Sequence, residues 1–167
     1  MGETSDAAQD SMHRCSVLIV DGDPAVRELL LVTLHAEGYL AGAVSNGREA
    51  LRYLRSHAET CIILLELDLP LMDGPHFRTL QLRDRSLAWI PVVAMSAIPD
   101  ADRRARDLGV HSLVRKPLNL DQLGQTLRRI GCCRMRHHAA VLENVPRQRG
   151  GRGRGASEAL TYESPLP

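Results

Sequence analysis

The chain has 167 residues, 44% hydrophobic and 25% charged, with a formal net charge of +1 at pH 7. That is the size of one ordinary domain with chain to spare, and the composition of a globular protein. A charge so near zero gives no global field to draw in nucleic acid or a membrane surface, and no stretch approaches the length of a membrane span. Aromatics are only 3%, so the core must be built from Leu, Val, Ile and Ala. Cys15, Cys61, Cys132 and Cys133 lack the spacing of a disulfide framework. The first two flank strand-like runs and read as small core hydrophobes. The opening MGETSDAAQDSMHR has no apolar signal region, and a reducing cytoplasm is the expected location.

In chain order, residues 1–13 read as a disordered N-terminus. CSVLIV (15–20) is a buried strand ending at Asp21. Asp23-Pro24 starts a helix, Asp as N-cap and Pro at the first helical position; it carries Val26, Leu29, Leu30, Val32 and Leu34 and stops near Gly38. YLAGAV (39–44) is a second, weaker strand. Asn46 to Glu49 resembles a capping box opening a helix through Ala50, Leu51 and Leu54. CIILLE (61–66) is the third strand, followed by an acidic loop and a helix from Pro75 to about Arg83. IPVVAMS (90–96) is the fourth strand, with Pro91 confined to its start. Pro99-Asp100 begins a helix to Leu108, capped by Gly109. HSLVRK (111–116) is a short fifth strand, and a last helix sets Leu120, Leu123, Leu127 and Ile130 on one face.

Five strand–helix units in strict alternation predict an α/β fold, a doubly wound five-stranded parallel sheet covered on both faces. Ligands of such sheets bind beyond the carboxyl ends of the strands, at the switch point. Those ends carry Asp21, Gly22 and Asp23 after the first strand, Glu66 and Asp68 after the third, Ser96 after the fourth and Lys116 after the fifth. Acids, a hydroxyl and one lysine converge on one edge. VDGDPAV is neither a dinucleotide fingerprint nor a P-loop, so a nucleotide-binding reading is disfavoured.

VLIVDGDPAVRELL, SNGREAL, LLELDLPLMDG, VVAMSA and LVRKPL, in this order and at compatible spacing, make residues 14–131 resemble the receiver domain of two-component response regulators. The resemblance implies a flavodoxin-like sheet of order 2-1-3-4-5 and a signalling module rather than an enzyme. In that family two acids after the first strand and an aspartate after the third hold Mg2+. The aspartate takes a phosphoryl group from a partner histidine, and the Ser or Thr and the Lys grip its oxygens.

Carried over by position, Asp21 is the first acid but Gly22 stands where the second belongs. Glu66 occupies the phosphoacceptor position, and Asp68 would offer its backbone carbonyl to the metal. Ser96 and Lys116 match, and Leu113 replaces the aromatic switch residue. Lys116-Pro117 resembles the family's lysine followed by a cis-proline bond. Losing one carboxylate weakens the pull on Mg2+, two unit charges at 4 Å interacting by about 4 kcal/mol at an effective dielectric of 20. Glutamate also carries its carboxylate one methylene too far for in-line transfer. From there it would reach Lys116 and partly imitate a phosphorylated aspartate.

Blander readings stand beside these. Asp23 reads as an N-cap before it reads as a substitute acid. Gly22 is either a turn needing glycine's freedom or drift after activity was lost. Asp73-Gly74 is most simply a turn. Residues 132–167 read as a disordered tail. Cys132, Cys133, His137 and His138 lack zinc spacing, and the Arg-Gly run 147–155 lacks the aromatics that stack on bases.

The reading is therefore a single-domain receiver acting as a protein-interaction module, atypical and phosphorylation-independent. Its expected partners are a histidine kinase or a downstream signalling protein, or a second copy through the last strand and its flanking helices; neither membrane nor nucleic acid is expected. The alternatives are a phospho-accepting receiver and, from another class, nucleic-acid binding through the Arg-Gly tail.

Overall fold

The computed structural model describes residues 15–130. The N-terminal segment, the Cys/His cluster and the Arg-Gly run lie outside the described residues, as do the expectations attached to them. Five strands, β1 (Ser16–Val20), β2 (Leu40–Val44), β3 (Thr60–Glu66), β4 (Val92–Ser96) and β5 (Ser112–Arg115), form one parallel sheet of order β2-β1-β3-β4-β5. Helices α1 (Pro24–Ala36), α2 (Gly47–Ser56), α3 (Gly74–Arg83) and α4 (Ala101–Asp107) connect them. A fifth, α5, occupies 120–130. The expected doubly wound α/β architecture and strand order are both present.

Strand alternation divides the core in two. Val17 and Ile19 of β1 pack with Leu30 and Leu34 of α1 and with Leu123 and Leu127 of α5. Leu18 and Val20, one residue out of phase, pack on the other face with Leu54 of α2 and Phe77 of α3. A strand covered on both sides needs apolar residues at every position, hence the unbroken runs in β1, β3 and β4. β2 is an edge strand in which no residue is fully buried, so its sequence signal is the weakest.

The helices follow their own stripes. In α1, Leu30 and Leu34 are buried and Val26 packs against them. Leu29 and Val32 fall off that i, i+4, i+8 line and are 49% and 64% exposed, so these two carried residues are surface rather than core. Asp23 is the N-cap of α1, its carboxylate accepting from Ala25 N–H at 2.8 Å. Asn46 caps α2 through Glu49 N–H at 3.0 Å. The Glu49 carboxylate reaches back one residue further than a capping box requires, to Ser45 N–H and Oγ, both at 3.0 Å. The fourth helix starts two residues later than its Pro-Asp signal suggests, because Asp100 makes no side-chain cap. Cys15 and Cys61 are half-buried against the α1/α5-side core. Among the described residues no helix is long and apolar enough to cross a membrane.

Candidate functional site

The strand order places the carboxyl ends of β1, β3, β4 and β5 side by side, and the polar residues that follow them meet there. Asp21 follows β1 and is fully buried. Its Oδ1 accepts from Asp23 N–H at 2.9 Å, which fixes the carboxylate against the start of α1. Arg27, one turn into α1, donates to the carbonyls of Asp21 (2.8 Å) and Gly22 (3.1 Å) and holds that loop from outside. Glu66, the last residue of β3, is 8% exposed. Leu67 N–H continues the ladder to Met95 O of β4 at 3.1 Å, so the acid leaves the sheet in a defined direction.

Lys116 brings these together. Its backbone N–H donates to Ser96 O at 3.0 Å, and the Lys116-Pro117 bond is cis, as the family resemblance implied. Its ammonium hydrogen-bonds the Glu66 carboxylate and lies 2.9 Å from Asp21 Oδ2. The latter contact lacks hydrogen-bond alignment, so Oδ2 is a buried oxygen with ionic but no hydrogen-bonding partner. One ammonium thus faces two carboxylates whose side chains are 1% and 11% exposed. Ser96 is buried beside them, its Oγ accepting from Ile98 N–H at 3.3 Å. Leu113, in register with Ala94 one strand over, is half-buried.

The remaining candidates sit apart. The Asp23 carboxylate is spent on its cap. The Asp68 carboxylate points to α4, 3.1 Å from Arg104 Nη1 and 50% exposed. Gly22 has no left-handed backbone: positive φ among the described glycines occurs at Gly38 and Gly109. A Cβ at Gly22 would meet only the Pro70 ring, at 3.2 Å from Cδ, so the turn does not require glycine. Gly74 does have a steric reason, since a Cβ there would lie 2.8 Å from Glu66 O and Leu67 Cα. The Asp73-Gly74 pair is therefore an α3 cap (Asp73 Oδ1 accepting from His76 N–H at 2.8 Å) joined to a close approach behind the acid. Between them and Glu66, Met72 N–H donates to Pro70 O at 2.6 Å across Leu71, whose φ is +63° and whose side chain is 86% exposed. That is a γ-turn in the loop between β3 and α3.

Sequence reasoning did not single out Arg27, Arg104 or Arg115. Arg115 donates to Ile98 O at 3.0 Å and pairs with Asp102, tying β5 to the start of α4. Its place beside Lys116 at a strand end was the available signal. Arg27 and Arg104 depend on loop paths that spacing does not encode.

A five-stranded parallel sheet of order 2-1-3-4-5, with an acid after β1, an acid after β3, a hydroxyl after β4 and a lysine before a cis-proline after β5, defines a receiver-type module. Residues 17–128 match the family described as the response regulator receiver domain, and the chain belongs to that family. Among curated proteins it is 36% identical over 126 residues to the sensor histidine kinase RcsC of Salmonella typhi, covering 74% of this chain and 13% of that one. It is 31% identical over 125 residues to the transcriptional regulatory protein HprR of Escherichia coli, covering 74% and 53%. The chain thus spans only a fraction of the length of these relatives. Among solved structures, the chemotaxis protein CheY4 of Vibrio cholerae superposes with a TM-score of 0.65 at 25% identity, covering 70% of this chain and 98% of that one. The receiver domain of a signal transduction histidine kinase from Syntrophus aciditrophicus does so with 0.64 at 27% identity, covering 81% and 96%.

Proposed function

We propose that this receiver works in two-component signalling as a protein-interaction module whose state does not wait for phosphate. The observation that carries the reading is the Lys116 ammonium set against the carboxylates of both Glu66 and Asp21. In the family the corresponding lysine grips a phosphoryl oxygen; here Glu66 supplies the oxygen. The imitation is partial, because a phosphoryl group brings three acceptor oxygens and more charge. Partners are a histidine kinase or downstream signalling protein, and a second copy through β5 with α4 and α5.

Magnesium binding is weakened in this reading, and the arrangement fits the ion poorly. Mg2+ needs hard oxygens in octahedral geometry. The position of the second acid is Gly22, the Asp68 carboxylate is drawn off to Arg104, and Lys116 already compensates one of the two acidic charges that remain. No group of three or more ligating side chains occurs among the described residues. One observation favours the second reading, a phospho-accepting receiver with residual metal affinity: Asp21 Oδ2 is the kind of buried, under-bonded oxygen that a cation satisfies.

Magnesium titration separates the two, followed by amide NMR shifts at the strand ends and by Trp89 fluorescence. The proposal expects no saturable response of the wild type at millimolar magnesium and a saturable one for the Gly22→Asp/Glu66→Asp double variant. The Cβ added at position 22 has only the Pro70 ring to displace. Saturable millimolar binding by the wild type would overturn the proposal.

A further inference from the structure

The inward face of α3 is unusual. Its buried residues are Gly74, Phe77, Arg78 and Gln81, the i, i+3, i+4, i+7 stripe that ordinarily carries a helix's apolar residues. Arg78 is 8% exposed, and no carboxylate lies within ion-pair distance of it among the described residues. The guanidinium instead donates to three neutral oxygens: Leu108 O from Nε (3.3 Å), Gly109 O from Nη2 (2.9 Å) and Gln81 Oε1 from Nη1 (2.5 Å). Gln81 in turn donates to Leu87 O (2.9 Å) and Ile90 O (3.0 Å). Desolvation pushes the Arg78 pKa down, the cost of keeping a cation there with no opposite charge beside it.

What this network holds is the C-terminal end of α4. That helix has seven residues, buries only Ala101 and Ala105, and has no side-chain N-cap. So short a helix with so little apolar burial cannot stand by itself. Its last turn closes in a Schellman motif, with Val110 N–H to Ala105 O (3.2 Å) and Gly109 N–H to Arg106 O (3.0 Å), Gly109 being at φ +57°. Arg78 then takes the Leu108 and Gly109 carbonyls, placing its charge at the negative end of the helix. Among the described residues the ion pairs of α4 to other elements are Arg104–Asp68 and Arg115–Asp102, between partly exposed side chains that are screened and weak.

We infer that Arg78 is a latch fixing the end of α4 to α3, and that its release frees α4 as a unit while the sheet stays folded. Through Arg104 and Asp68, α4 is tied to the loop that follows Glu66; through Arg78 and Gln81, it is tied to the α3–β4 connection. Beyond the two buried alanines, Ala101 and Ala105, the attachment of this helix is therefore set by polar contacts rather than by a broad apolar face. The inference does not depend on whether Glu66 substitutes for phosphate.

Hydrogen exchange on the full chain tests it, read at the amides of Arg104 in α4 and of Leu108 and Val110 in its closing turn, and at amides of β3 and β4. In the wild type under low urea, the α4 amides are expected to exchange through an opening that costs less and depends less on urea than that of the sheet. Arg78→Leu keeps the volume apolar and removes the latch; α4 exchange should quicken about tenfold or more with the sheet unchanged. Arg78→Lys, a point charge without the fork, should fall between. Unchanged α4 exchange in Arg78→Leu, or equal acceleration of α4 and sheet, would overturn the inference. If no Arg78 variant folds, the wild-type experiment decides: one shared opening for α4 and sheet would overturn it equally.

Discussion

Lys116, just beyond β5, reaches across β4 to the carboxylate of Glu66 at the end of β3. The same ammonium also lies 2.9 Å from Asp21 Oδ2 beyond β1. Three strand ends are thus joined by one cation that belongs to the chain itself. Two buried carboxylates sharing a pocket would repel each other and each bear a desolvation cost; the lysine offsets part of both.

Removing that cation leaves the acids without compensation. Lys116→Met is expected to destabilise the fold by about 3 kcal/mol, the range for breaking a buried ion pair from one side. Adding Glu66→Leu should recover part of the loss, since one of the stranded charges is then gone. Urea unfolding of the wild type, the single and the double variant measures both steps. A Lys116→Met cost below about 0.5 kcal/mol, the level of an ordinary surface change, would mean that the ammonium is not neutralising the pocket.

Asp23 lies beside the acidic pocket but its carboxylate bonds to Ala25 N–H. Asp23→Ala should therefore behave as the loss of a helix cap, costing about 1 kcal/mol. Asp23→Ser, which keeps a capping oxygen, should restore most of it. A loss that Ser does not restore would assign the aspartate's charge, and not its cap, to the stability of this edge.

Glu49 supplies a pH dependence at the start of α2. The Ser45 N–H donates to its carboxylate, with Ser45 Oγ adding a second bond, and these hold its pKa below the usual glutamate value. A carboxylate with a lowered folded-state pKa stabilises at pH above its unfolded value of about 4.3. That contribution is lost as pH falls through the folded value. Carboxyl NMR titration should place Glu49 among the lower glutamates. In Glu49→Gln the Ser45 amide should lose its shift change over the same acid window.

The fold was legible because both core faces draw on the same strands, so β1, β3 and β4 carry unbroken apolar runs (17–20, 61–65 and 92–95) whose ends are abrupt. The site was legible for the same reason: Asp21, Glu66 and Ser96 are the first polar groups after apolar runs, Lys116 follows Arg115 at the end of another, and parallel strands put such positions on one edge. Gly22 left two readings open that only backbone geometry separates. Leu29 and Val32 were carried with Leu30 and Leu34 because apolar residues at 29, 30, 32 and 34 fit more than one helical stripe. The start of α4 was placed early because Asp100 has the residue type of a cap without its hydrogen bond. Arg78 and Gln81 went unremarked although their spacing from Gly74, i+4 and i+7, places them on the inward stripe that Phe77 shares. A polar residue on an apolar stripe is the signal that would have found them.

The central claim is that Glu66 stands in for the phosphorylated state and takes no phosphoryl group itself. Incubation of the full chain with acetyl phosphate and Mg2+, followed by intact and peptide mass spectrometry, tests it most directly. The account expects no phosphoryl adduct on the wild type under conditions that label the Gly22→Asp/Glu66→Asp variant. An acid-stable, base-labile adduct on Glu66 or Asp68 of the wild type would contradict it and make this chain a phosphate-driven receiver with unusual ligands.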